Sequence, residues 1–242
     1  MHCALFSHYV MTWWIAPHVR ACETAGSVVF LDLRANRYSG MPIEAAPALR
    51  ACIRNWPCRV ASAPDPIDAL GTACDAPTLL STLLRSGYLV REPPPQVATD
   101  APNLRRVQEL EVNGAAATLD RTVVWRFMRA QIWARRRVHH STLLSIATEL
   151  GAHEHHSVPS IPLKECVSTF RRLRPYAFAA RDQCLFHALA LLHFLRSRGL
   201  TATWIIGVRT LPWAAHSWLQ AGDDLLDATP EQVREYVPIL WI

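Results

Sequence analysis

Cys184, His216 and Asp227 stand in the chain in the order nucleophile, base, orienting carboxylate. A thiol needs a neighbouring base to become a strong nucleophile, and the imidazole needs a carboxylate to hold its tautomer and orientation. Those residue types in that order predict acyl chemistry through a thioester. The other six cysteines, Cys3, Cys22, Cys52, Cys58, Cys74 and Cys166, form no C-x-x-C pair. They read as small hydrophobes of a reducing compartment.

The elements that must position the three residues follow from pattern. Asp182 is a good N-cap for an apolar run through Leu195, and Gly199 suits the position just past the helix end. Cys184 then lies in the first helical turn, where free N–H groups and the positive dipole end favour a thiolate. The same N–H groups suit a developing oxyanion. Thr203 to Arg209 reads as a buried strand, His216 to Leu219 as a second, and Leu225 to Ala228 as a third. The loop at Gly222-Asp223 joins the last two as a hairpin. That register puts Trp218 opposite Asp227, with His216 diagonally across, so strand alternation predicts His216 and Asp227 on one face. A slip of one residue separates them. Asp223 and Asp224 are turn residues by the same pairing.

The remainder of the 242 residues divides at a proline-rich stretch. The expected fold is α+β in two domains: residues 1–92, a linker at 93–103, and 104–242. In the first, Val19 to Cys22, Ser27 to Leu33 and Arg37 to Ser39 predict a three-stranded meander. A helix from Pro42 to Trp56, a second from Ala76 to Arg85 and a strand at Gly87 to Val90 complete a winged-helix-like module. The first 17 residues read as an extension without function. In the second domain, Leu104 to Leu150 reads as mostly helical, with Val123, Val124, Phe127, Ile132 and Trp133 at helical spacing. Arginines 126, 129, 135, 136 and 137 decorate the same stretch. Such a stripe suits nucleic acid or an acidic peptide, but a solvated helix face is the simpler reading. Leu163 to Leu173 is another helix. His153-Glu154-His155-His156 reads as a polar loop, because its spacing is poor for two ligands on one helix face. No metal and no cofactor are expected.

The net charge of +5 comes from 24 arginines and one lysine and only weakly suggests an anionic partner. No apolar run reaches membrane-spanning length. No secretory signal stands out, so a cytoplasmic protein is expected, without membrane or nucleic-acid partners.

Cys184-Leu185 with its apolar helix, Ile205 to Arg209, Pro212-Trp213, Ala215 to Trp218 and Leu226 to Pro230 resemble the lasso-peptide maturation proteases. These are B proteins of their pathways, related to transglutaminase-like and papain-like cysteine proteases. Val28 to Leu33, followed by Arg37-Tyr38-Ser39-Gly40, resembles that family's leader-recognition element, a small winged-helix domain similar to the pyrroloquinoline-quinone pathway chaperone (PqqD-like). The resemblance implies a protease that captures the leader of a ribosomal precursor peptide and cuts at the leader–core junction. Family members favour a threonine near the leader's end. A separate ATP-dependent, asparagine-synthetase-like cyclase then closes the freed core amine onto an acidic side chain. It implies Cys184 as nucleophile, His216 as general base and acid, and Asp227 as the orienting carboxylate. Leader contacts are expected from Leu33, Arg37, Tyr38, Ser39, Leu80 and Leu83, and core contacts from Trp213 and Trp218. An exposed strand edge near Arg37 to Ser39 suits β-addition of a leader strand. The chain departs from the family at Gln220, where many relatives carry Glu, and at Phe186-His187. The competing readings are a transglutaminase-like acyltransferase or amidase, a winged-helix regulator with an inert Cys184, and a precursor chaperone.

Overall fold

The computed structural model describes residues 12–56, 76–94, 102–112, 119–152, 162–176 and 184–242. The chain separates into two compact units, residues 1–32 with 37–98, and residues 33–36 with 99–242.

In the first unit, β2 (Val19–Glu23), β3 (Ser27–Asp32) and β4 (Arg37–Pro42) form an antiparallel meander in the order β2-β3-β4. β3 carries Val28, Val29, Phe30 and Leu31, all buried, as a central strand rich in β-branched and aromatic residues should be. Asn36 takes a φ of 51° in the turn before β4, a left-handed conformation that asparagine tolerates. A short two-stranded sheet pairs β1 (Trp14–Ile15) with β5 (Leu89–Val90). The helix expected from Pro42 to Trp56 is shorter. A single 3₁₀ turn at Ile43–Ala45 leads into α1 (Ala46–Cys52), and Ile53 is extended. The reason is long-range: the Trp13 N–H donates to Cys52 O and the Arg54 N–H to Trp13 O, drawing the chain out of the helix. Trp13 and Ile15 are thereby core residues. α2 (Ala76–Arg85) has the expected bounds and ends at Gly87, φ +70°. There the Tyr88 N–H reaches back to Leu83 O and the Gly87 N–H to Leu84 O, as at a glycine-terminated helix.

The second unit is a helical layer and a five-stranded sheet. The helices are α3 (Arg121–His140), α4 (Leu143–Gly151), α5 (Leu163–Leu173), α6 (Cys184–Arg196) and α7 (Pro230–Arg234). Asp120 caps α3 by accepting from the Val123 N–H at 2.7 Å, and Thr142 caps α4 from its Oγ1. α6 is apolar nearly all round and is the buried helix of the layer. Phe127 of α3, Phe170 of α5 and Phe194 of α6 pack as a triangle, with ring centroids 5.2 to 6.4 Å apart. The sheet runs in the order β10-β7-β8-β9-β6. Its strands are β6 (Gln108–Glu109), β7 (Thr203–Thr210), β8 (Trp213–Ala221), β9 (Asp224–Leu225) and β10 (Val237–Trp241). The expected helix across Leu104 to Leu150 begins only at Arg121. Gln108–Glu109, inside that span, is a strand instead: β6 pairs in parallel with β9. β10, which follows α7 and which the pattern of the sequence does not announce, closes the sheet against β7. Among the described residues no helix is long and apolar enough to cross a membrane.

Candidate functional site

Four cysteines fall among the described residues: Cys22, Cys52, Cys166 and Cys184. Burial pushes the thiols of Cys22 and Cys166 up to about 12. In both, an adjacent glutamate adds to the effect, and at Cys166 Arg198 opposes it. Such thiols are poor nucleophiles near neutrality. Cys184 differs in position and exposure: it is half-buried and begins α6, which packs against β8. The expected cap, Asp182, lies outside the described residues, as do the residues from His153 to His156.

β7 and β8 pair without interruption from Thr203↔Gln220 to Thr210↔Trp213, so His216 lies opposite Gly207. The imidazole of His216 stacks on Trp218, with centroids 5.8 Å apart and planes at 20°, and meets Tyr236 at 5.5 Å. Gly207 makes room for this arrangement. A Cβ there would come within 2.8 Å of the Trp218 ring and 2.9 Å of Tyr236 Cβ. Arg209 lies over the other ring of the group, 5.3 Å from the Tyr236 centroid, and pairs with Glu235. Burial lowers the His216 pKa, so the imidazole is neutral at neutral pH. Its Nε2 is buried and has no hydrogen-bond partner among the described residues.

Asp227 is held by different means. The ladder pairs Gln220 with Leu225 and continues one step, with the Leu226 N–H donating to Leu219 O at 3.0 Å. The Trp218–Asp227 alignment expected from the sequence follows from that register. The Asp227 side chain, however, does not stand on a sheet face. Its Oδ1 accepts from the Leu219 N–H at 2.8 Å, the donor that the Leu226 carbonyl would otherwise take. That carbonyl accepts instead from Arg171 Nη2 of α5 at 3.1 Å. The strand therefore ends with a carboxylate occupying a ladder position. Strand alternation consequently does not fix Asp227 relative to His216, and no hydrogen bond joins the two side chains. Burial pushes the Asp227 carboxyl up to about 7, opposed by the Leu219 N–H and by Arg174 and Arg171.

A cavity of about 170 Å³ opens beside Asp227. Arg171, Arg174, His187, Leu226 and Gln232 line it with Asp227. His187 stands three residues after Cys184 on α6, and its Nδ1 is buried without a partner among the described residues. Burial, and then Arg174, lowers its pKa. Thr229 and Gln232 form a reciprocal capping box at the start of α7 beside this cavity.

Tyr236, Gly207, Arg171 and Arg174 were not legible as site residues. Only the Thr-Pro-x-Gln capping signal at Thr229 hinted that structure continues past Asp227. Of the expected substrate contacts, Trp213 is exposed at the start of β8, whereas Trp218 is fully buried against His216. In the N-terminal region Leu33 and Leu83 are buried, and Leu80 is partly so. Arg37, Tyr38 and Ser39 lie on β4, which pairs with β3 at the end of the described meander. Ser39 Oγ donates to Tyr88 Oη at 3.3 Å. Among the described residues no group of His, Cys, Asp or Glu side chains could hold a metal ion.

Residues 122–241 match the family described as the Transglutaminase-like superfamily. The C-terminal half carries a transglutaminase-like domain. That superfamily generally comprises cysteine peptidases and acyltransferases, and Cys184, His216 and Asp227 all fall within the matched residues. The chain is also 38% identical over 50 residues to the Microcin J25-processing protein McjB of Escherichia coli. This match covers 21% of the chain and 24% of that protein's length. No solved structure matches the chain.

Proposed function

We propose that the chain is a leader peptidase of a lasso-peptide pathway, acting by Cys184, His216 and Asp227. The observation that carries the reading is the junction of α6 and β8. It combines a half-buried cysteine at the start of the buried helix with a neutral histidine on the adjoining strand, inside a transglutaminase-like domain. The partial likeness to a protein named for processing microcin J25 supplies the substrate class. In this reading His216 takes the Cys184 proton and the thiolate adds to the carbonyl carbon before the scissile bond. The tetrahedral intermediate collapses as His216 returns the proton to the leaving core amine. The leader remains as a thioester on Sγ. Water, deprotonated by His216, then releases it as a carboxylate and restores the thiol. Asp227 orients the imidazole once substrate draws the groups together; hydrogen bonds of this kind commonly tighten only in the substrate complex.

Residues 1–92 serve as the leader-recognition domain, winged-helix-like, with β4 at Arg37 to Ser39, an end strand of the described meander, taking the leader as an added strand. The product amine passes to an asparagine-synthetase-like cyclase in the cytoplasm. The test uses the full chain and a leader–core peptide with threonine near the leader's end. Mass spectrometry should find two fragments with the wild type and intact peptide with Cys184→Ala, which should still bind the leader. Cleavage by Cys184→Ala refutes the mechanism. A conjugate mass in place of two fragments establishes acyl transfer instead.

A further inference from the structure

Among the described residues α3 is packed on one side. Val123, Phe127, Ala130 and Ala134 are buried, in contact with the α6 layer, while Trp125, Met128 and Ile132 are 60%, 48% and 51% exposed. Val124 and Ile132, which helical spacing grouped with the core residues, thus point outward. At 3.6 residues per turn, Trp125, Met128 and Ile132 stand on positions i, i+3 and i+7, and with Val124 the exposed apolar residues span an arc of about 100°. The i, i+3, i+7 repeat is the spacing of a helix–helix seam. In heptad terms the three take the a, d and a positions, which puts Arg129 and Arg136 at the flanking e positions.

The charge on this face is of one sign. α3 carries six arginines and no acidic residue. Arg126 is engaged with Ser197 O, and Arg137 pairs with Glu149. The outward ones are not neutralised: Arg121, Arg135 and Arg136 are exposed and make no ion pair or hydrogen bond among the described residues. Arg129 lies over the Trp125 ring, 5.6 Å from its centroid, which presents both side chains together. Tryptophan and arginine are the side chains that most often dominate protein interfaces, and guanidinium groups match carboxylates in a bidentate fashion. A second copy docked antiparallel would set Arg129 and Arg136 against their equivalents, so like charge opposes self-pairing.

We propose that this face of α3 docks a helix of another protein, one with an apolar seam flanked by Asp and Glu. The partner's apolar side chains seat between Trp125, Met128 and Ile132, and its carboxylates pair with Arg129 and Arg136. The assignment is independent of the proposed peptidase activity, because none of these residues belongs to the site.

The experiment measures fluorescence anisotropy of a labelled helical peptide with leucine at a and d positions and glutamate at the flanks, titrated with the full chain. A matched peptide with lysine at the flanks is the control. The wild type should bind the glutamate peptide at least tenfold more tightly than the lysine peptide. Arg129→Glu combined with Arg136→Glu should reverse that preference, and Trp125→Ala should weaken binding about tenfold. All these side chains are exposed, and circular dichroism verifies that each variant is folded. Equal binding of both peptides, or of neither, overturns the proposal. So does a concentration-dependent dimer in sedimentation that Trp125→Ala abolishes. Binding to phosphatidylglycerol vesicles in place of the glutamate peptide, lost in the same variants, assigns the face to a membrane and overturns it too.

Discussion

The strand β8 at His216 and the chain just past β9 at Asp227 belong to one hairpin, yet they hold their side chains by unlike forces. His216 is positioned by shape. Two aromatic rings, Trp218 and Tyr236, flank its imidazole over the gap left by Gly207, and its buried Nε2 has no hydrogen bond among the described residues. Asp227 is positioned by hydrogen bonding. Its carboxylate replaces a main-chain carbonyl in the ladder, and Arg171 takes the carbonyl it displaced. Stacking fixes a ring plane while leaving the nitrogens uncommitted, which suits a group that must exchange protons with two partners. A ladder hydrogen bond fixes a carboxylate firmly, at the cost of keeping its charge in a partly dry place.

The contrast can be broken first at Asp227. Asp227→Leu removes the acceptor for the Leu219 N–H and leaves that donor unpaired, costing about 1–3 kcal/mol of stability. Thermal unfolding should register the loss, together with loss of leader cleavage. Gly207→Ala attacks the other side. The added methyl meets the Trp218 ring and Tyr236 Cβ, and overpacking of this kind costs about 1–3 kcal/mol. Its distinguishing sign is a fall in kcat with a shifted acid limb of the pH profile, because the ring that holds His216 must move. An unchanged profile would show that the stack does not position the imidazole.

The smallest effect concerns charge. The Asp227 carboxyl is raised to about 7, above the roughly 3.9 of an unfolded chain. Between those values the folded state holds more protons than the unfolded one, so this group's contribution falls as pH rises from about 4 to about 7 and is flat above. His216 acts oppositely: its pKa is lowered, so its contribution falls as pH drops through about 6.5. Asp227→Asn retains an oxygen for the Leu219 N–H and removes the charge. It should unfold at a higher temperature than the wild type above pH 7 and lose the acid-side slope of Asp227, while cleaving poorly. A variant less stable than the wild type at that pH would contradict the account of a charge held against its preference.

Much of this was written in local pattern. α2 and α5 appear with the bounds that periodicity and their stop signals indicate. The hairpin register that aligns Trp218 with Asp227 followed from the turn at Gly222-Asp223, since a two-residue turn leaves little choice. What was not legible depends on distant chain. β6 is two residues long and pairs in parallel with β9 more than a hundred residues away. The extended Ile53 depends on Trp13, and the outward turn of Val124 and Ile132 depends on which face of α3 the α6 layer selects. The seat of the Asp227 carboxylate depends on Arg171 capturing the Leu226 carbonyl from α5, a contact across 55 residues that no hairpin rule contains.

The most direct test of the central claim is hydrolysis of the leader–core peptide in heavy-oxygen water, followed by mass spectrometry of both fragments. The account predicts one heavy oxygen in the new carboxylate of the leader, none in the core, and no products with Cys184→Ala. Label-free leader joined to an amine, or labelled leader produced by Cys184→Ala, would contradict it.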